Sequence, residues 1–151
     1  MKIIAIDPGD KQSAVVVWDG RVIHDSFILD NETISIWLSD KRNYSPTYMP
    51  VVCEMIASYG MAVGETVFET CVWIGRFWDR AGSAFHRIKR KDVKMHLCGS
   101  MRAKDSNIRQ ALIDRFGSPG TRANPGLTYG LKKDLWAAFA VAVTWHDINC
   151  K

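Results

Sequence analysis

Apolar and polar positions alternate in short blocks along this chain. Ile3-Ile4-Ala5-Ile6 is a continuous apolar run that stops at Asp7, and Pro8-Gly9 breaks it. Such a run reads as a buried strand followed by a turn. Ser13–Trp18 and Arg21–Ile28 follow as second and third strands. Between them, Asp19-Gly20 is the two-residue signal of a type I′ hairpin. Three antiparallel strands therefore open the domain.

A helix is predicted next, capped by Asp30 or Asn31 and carrying Ile34, Trp37 and Leu38 on one face. Lys41–Tyr48 reads as a loop. Pro50-Val51-Val52-Cys53 is another apolar run, and it ends at Glu54. From Ala62 to Arg80, the residues Val63, Val67, Cys71, Ile74 and Trp78 recur at helical spacing. Phe85–Ile88 fits a fifth strand. Lys91–Cys98 suits a helix stopped by Gly99, and Asp105 or Ser106 can cap one with Ile108, Ala111, Leu112 and Phe116 on its face. Leu131–His146 is an alanine-rich helix in which Ala137, Ala138, Ala140 and Ala142 permit close packing. Hairpin strands followed by β-α-β crossovers imply an α/β fold, a mixed sheet with helices on both faces.

The length of 151 residues suits a single domain spanning 1–151. No apolar run approaches the roughly 20 residues of a membrane span. No cleavable signal is expected at Met1-Lys2-Ile3-Ile4, which runs straight into strand-like sequence. Cys53, Cys71, Cys98 and Cys150 form no CxxC pair, so no zinc or redox motif is expected; Cys53 and Cys71, in apolar stretches, are expected as core thiols, and a reducing cytoplasm is the expected compartment. The histidines, His24, His86, His96 and His146, show no metal-ligand spacing.

Charge is divided unevenly. The net charge is +4, but residues 1–75 carry −5 and residues 76–151 carry +9. A basic half makes a polyanionic partner plausible. Its densest run is Arg87, Lys89, Arg90, Lys91 and Lys94, with Arg102, Lys104 and Arg109 beyond. Phosphate contact is the expected use of this run, against a merely solvated face. Lys132 and Lys133 flank Asp134 and could reach a phosphate. Tyr59, after Glu54, could stack on a base or pack in a core or interface. Trp73, Phe77 and Trp78 are expected in the core or in a dimer interface.

The placement of three acids is the sharpest signal. Asp7 and Glu54 each end an apolar strand, and parallel neighbouring strands would bring them side by side. Asp134 starts the last helix. Each has an ordinary alternative: Asp7 as a turn former, Glu54 as a solvated strand end, Asp134 as a helix cap. Clustered together, they would repel unless a cation stood between them. Mg²⁺ or Mn²⁺ suits such an oxygen-only site, and two ions can drive phosphodiester hydrolysis.

Taken in order, these segments resemble RuvC-type Holliday junction resolvases, of the RNase H-like (retroviral integrase) superfamily. Ile4-Ala5-Ile6-Asp7-Pro8-Gly9 resembles the family's opening motif, and Val51-Val52-Cys53-Glu54 its second acidic strand. The helix over 62–80, with Gly75-Arg76 near its end, resembles the long helix that follows. Lys94 and Lys104, with Asn107-Ile108-Arg109-Gln110, resemble the basic segment, and Lys133-Asp134-Leu135-Trp136-Ala137-Ala138 the terminal acidic helix. The compact length is similar to the phage-encoded branch.

The resemblance implies an RNase H-like domain with a five-stranded mixed sheet. It implies a homodimeric, Mg²⁺- or Mn²⁺-dependent endonuclease that resolves four-way DNA by paired nicks, as in recombination and repair. Neither a membrane nor a nucleotide cofactor enters this picture. Asp7, Glu54 and Asp134 would hold the metals. Arg76, Arg90, Lys91, Lys94, Lys104, Arg109, Lys132, Lys133 and Tyr59 would contact DNA. The family's additional acid on the last helix is missing, since Leu131 and Ala137 occupy the positions three before and three after Asp134. Asp105 is a candidate replacement, although a helix N-cap is its expected role. Asp10 is expected to serve the turn. The missing acid keeps open a broader flap, fork or RNA-containing-duplex nuclease. A catalytically silent nucleic-acid-binding module is the reading from outside the enzymes.

Overall fold

The computed structural model describes residues 1–44 and 48–150. Five strands, β1 (Ile3–Asp7), β2 (Gln12–Trp18), β3 (Ile23–Asp30), β4 (Val51–Met55) and β5 (Phe85–Lys89), form one sheet in the order β3-β2-β1-β4-β5. The first three strands pair antiparallel, while β4 and β5 join in parallel. Among the described residues there are five α-helices, α1 (Asn31–Tyr44), α2 (Glu65–Ala81), α3 (Arg90–Cys98), α4 (Asp105–Phe116) and α5 (Leu135–Asn149), and a short 3₁₀ helix at Gly82–Ala84.

Strand alternation sends successive side chains to opposite faces, and β1 is apolar on both. Ile3 and Ala5 pack with Ala14, Val16 and Trp18 against α5, with α3 and α4 beside it. Ile4 and Ile6 pack with Val15 and Val17 against α1 and α2. The two-sided burial is why β1 reads as an unbroken apolar run. Ala138, Ala140 and Ala142 of α5 are buried, and their small side chains let the helix lie close to β1 and β2. Trp18 fills the remaining space, edge-on to Phe139 at 5.1 Å and to Phe116 at 5.6 Å between ring centroids.

Several boundaries differ from the pattern-based expectation. The β2–β3 connection is longer than a two-residue turn, because Trp18 pairs with Ile23. The Asp19 carboxylate accepts hydrogen bonds from the Arg21 and Val22 N–H groups, both at 2.8 Å, and so wraps a wider loop. Helix α1 runs on to Tyr44, through the first part of the expected 41–48 loop, and residues 45–47 lie outside the described ones. Helix α2 turns a different stripe inward: Thr70, Ile74, Phe77 and Ala81 are buried, while Val63 precedes the helix and Trp78 is half-exposed. The last helix begins at Leu135 rather than Leu131.

Candidate active site

The parallel register of β1 and β4 builds the site. Ile6 pairs with Cys53, so Asp7 and Glu54 follow at the same level on adjacent strands. Both leave the carboxyl end of the sheet, where an open α/β fold leaves a crevice. The turn after Asp7 is fixed by other residues. The Gly9 N–H donates to Ser13 Oγ at 3.1 Å, Ser13 Oγ donates to Asn31 Oδ1 at 2.6 Å, and Asn31 Nδ2 donates to the Gly9 carbonyl at 2.9 Å. A side chain at Gly9 would place its Cβ 2.3 Å from the Gln12 carbonyl oxygen, so only glycine fits. Among the described residues no hydrogen bond of this turn engages the Asp7 carboxylate.

Asp134 is delivered by a tight bend. Trp136 Nε1 donates to the Leu131 carbonyl at 3.1 Å, and the Leu135 N–H bonds the Lys132 carbonyl at 3.1 Å. Lys133 adopts a left-handed φ of 50°, a conformation that costs a non-glycine residue roughly 1 kcal/mol or more. Asp134 occupies the N-cap position of α5 without a side-chain capping bond, so its carboxylate is free for another use. Glu54, Arg90, Asp105, Lys133, Asp134 and Ala137 line one small cleft.

Electrostatics tie the acids together. Burial, then Glu54 and Asp134, push the Asp7 carboxyl up to about 8, against the opposing effect of Arg90. Burial also raises Glu54, and the Arg90 guanidinium partly offsets it. Arg90 Nη1 donates to both Glu54 oxygens, at 3.2 and 3.3 Å, and Nη2 donates to Asp105. One expectation is corrected here. Asp105 is the first residue of α4 rather than its cap, and its carboxylate faces Arg90. The Lys104 N–H is instead capped by Asn107 Oδ1 at 2.8 Å. Arg90, expected among the DNA contacts, is half-buried and faces the Glu54 and Asp105 carboxylates.

The remaining basic residues separate into two groups. Arg76 pairs with Glu32 at 2.8 Å and lies over the Trp73 ring at 4.0 Å, bracing α2 against the start of α1. Arg109 covers the Trp136 ring at 4.8 Å. Lys91, Lys104, Lys132 and Lys133 are exposed, and Lys94 is close enough to Glu54 to lower its carboxyl. Tyr59 is exposed, which removes its core reading. Phe77 is buried in the core, Trp73 is half-buried, and half-exposed Trp78 stacks on Phe85 and has the Arg87 guanidinium over its ring at 4.7 Å. Ser13 and Asn31 were not foreseen as site supports. Their signal was an Asn at the β3–α1 junction, and it reads equally well as a cap.

Among the described residues, no three His, Cys, Asp or Glu side chains stand in an arrangement ready to hold a metal ion. The donor set nevertheless suits a hard divalent cation. It is oxygen-only, and Asp7 is raised first by burial and then by the charges of Glu54 and Asp134.

The fold has solved counterparts. RuvC from Thermus thermophilus superposes with a TM-score of 0.71 at 16% identity, covering 95% of this chain and 92% of that one. The chain shares its fold with RuvC. The same RuvC in complex with a Holliday junction substrate matches with a TM-score of 0.70, also at 16% identity and with the same coverage. The five-stranded mixed sheet with helices on both faces is thus the RNase H-like arrangement that the sequence motifs resemble. No family profile and no curated protein sequence matches the chain. Among the described residues, no helix is long and apolar enough to cross a membrane.

Proposed function

We propose that this chain is a divalent-metal-dependent endonuclease acting on branched DNA, with four-way junctions as its substrate. The observation that carries this reading is that Glu54 and Asp134 line one cleft while Asp7, level with Glu54 on the neighbouring strand, has its carboxyl pushed up to about 8 by burial and by those two acids. Support for the substrate comes from the fold shared with a RuvC whose structure includes a Holliday junction.

Asp7, Glu54 and Asp134 would hold Mg²⁺ or Mn²⁺, two ions in the full site. The ions would supply an activated water and stabilise the leaving oxygen of the phosphodiester. The protein's own contribution is positional. Asn31 and Ser13 fix the Asp7 turn, and Trp136 fixes the bend that presents Asp134. Lys94 and Lys104, with exposed Lys91, Lys132 and Lys133, would hold DNA phosphates around the cut. Exposed Tyr59 would stack on a base opened at the branch point. Paired nicks call for two sites, so the working form is a homodimer.

A broader flap or fork nuclease is the second reading. Leu131 and Ala137 stand three before and three after Asp134, and Asp147 farther along α5 is paired with Arg115 and His96, so none of these positions supplies the additional acid of the family pattern. The deciding assay compares Mn²⁺-dependent cleavage of synthetic four-way junctions, flaps, forks and RNA-containing duplexes. Symmetric paired nicks on the junction support the resolvase reading. Preferred cutting of flaps or forks replaces it with the second. Tight, metal-independent binding without cleavage of any substrate leaves a silent binding module and overturns both.

A further inference from the structure

Arg90 has a place that neither DNA contact nor a metal site requires. Glu54 on β4 lies opposite Ile88 on β5, and Arg90 follows two residues later as the first residue of α3. Its guanidinium forks across two elements. Nη1 reaches both oxygens of Glu54 at 3.2 and 3.3 Å, and Nη2 reaches Asp105 on α4. The Glu54 side chain is 13% exposed and the Asp105 side chain 83% exposed. The pair therefore consists of an inner acid and a rim acid joined by one planar cation. Each terminal nitrogen thus serves a different carboxylate, and both contacts are charge-assisted. Lys91, the next residue, faces solvent and leaves the acids to Arg90.

An ion entering the cleft needs the same Glu54 oxygens. We propose that Arg90 is a tethered counter-cation: it occupies the acid cluster in the metal-free chain and competes with divalent ions for Glu54, anchored by Asp105. The inference rests on the metal-dependent reading above and adds a regulation to it. At low divalent concentration the acids are neutralised from within. A bridge held in nine molecules of ten raises the apparent metal Kd about tenfold, since only the open fraction binds.

Calorimetric titration of the full chain with Mn²⁺, without DNA, tests this. Arg90→Gln is expected to bind Mn²⁺ about tenfold more tightly than wild type. Arg90→Lys keeps the charge but cannot fork, and is expected to fall between the two. Unchanged or weaker binding by Arg90→Gln overturns the competition. Wild-type affinity in Arg90→Lys beside tighter binding in Arg90→Gln supports the competition as well, with charge alone sufficing. Should the variants fail to fold, wild type still decides. Saturating Mg²⁺ must shift the Arg90 Nε–Hε signal in a ¹⁵N NMR titration, and a signal unmoved while Mg²⁺ binds overturns the proposal. Failure of wild type and both variants to bind Mn²⁺ overturns the metal reading and this inference with it, whereas the other negative outcomes leave the metal reading standing.

Discussion

Asp7 and Glu54 leave neighbouring parallel strands at one level, because Ile6 and Cys53 are register partners. Neither carboxylate can be removed without changing the charge balance of the other. Asp7→Asn is expected to abolish metal-dependent cleavage. Changes to residues that merely support a metal ligand cost about 10–100-fold, so loss of a ligand costs at least about 100-fold. The same substitution removes a repelled, buried charge, so metal-free Asp7→Asn is expected to melt above wild type at pH 8. Junction cleavage and thermal melting of the same preparation check both halves. A variant that cuts normally sinks the site.

The raised Asp7 carboxyl sets a pH dependence with a definite sign. Its pKa is about 8 in the folded chain against an ordinary 3.8. Its proton is therefore bound more tightly in the folded state than in the unfolded one. The resulting stabilisation is complete below about pH 4 and fades as pH rises towards 8. At about 1.4 kcal/mol per pH unit, the span is on the order of 5 kcal/mol. Metal-free melting temperatures should fall from pH 5 to pH 8.5. In Asp7→Asn that fall should be much shallower. Because metal must displace this proton, Mn²⁺ affinity should rise over the same interval. Parallel melting curves for the two proteins would show that Asp7 is not the titrating group.

Asn31 is buried and joins β3 to α1 while gripping the Gly9 carbonyl and the Ser13 hydroxyl. Asn31→Ala leaves both partners unsatisfied and is expected to cost about 2–3 kcal/mol in urea unfolding. It should also lower cleavage by loosening the Asp7 turn. Asn31→Asp keeps the acceptor for Ser13 but loses the donor to Gly9, and should fall between Asn31→Ala and wild type in stability.

Exposed lysines should behave differently from the acids. Lys104→Ala is expected to weaken junction binding and to reduce the slope of log affinity against log salt by about one. Its melting temperature should stay within a degree or two of wild type, since Lys104 is exposed. Filter binding over a salt series measures the slope. An unchanged slope would move the phosphate-binding surface elsewhere.

The parts of the fold legible in the sequence were those set by local pattern. β1 and β4 are runs of Ile, Val, Ala and Cys buried on both faces, so their ends, and with them Asp7 and Glu54, could be read directly. Asp134 was legible because α5 is apolar almost throughout after it. Non-local pairing was less visible. The buried stripe of α2 passes through Thr70 and Ala81, which carry little hydrophobic signal, while Phe68 and Val72 point outward. Arg90 looked like one member of a basic run, because its partners Glu54 and Asp105 lie 36 and 15 residues away. Asp105 looked like a cap because cap preference is local and an ion pair across two elements is not.

The outward face of α2 carries the last expectation. Phe68 and Val72, one helical turn apart, are 61% and 55% exposed, and exposed Gly75 follows without a side chain. A contiguous apolar face of this kind commonly marks a contact surface. A two-fold axis beside α2 would cover it with its own copy and give the two active sites that paired nicking demands. Phe68→Lys, in each protomer, would place like charges together at that axis. Sedimentation equilibrium should show wild type as a dimer at micromolar concentration and Phe68→Lys as a monomer with unchanged melting cooperativity. On junction DNA, the monomer should make single nicks in place of paired ones. A Phe68→Lys chain that remains dimeric would place the dimer contact on another face.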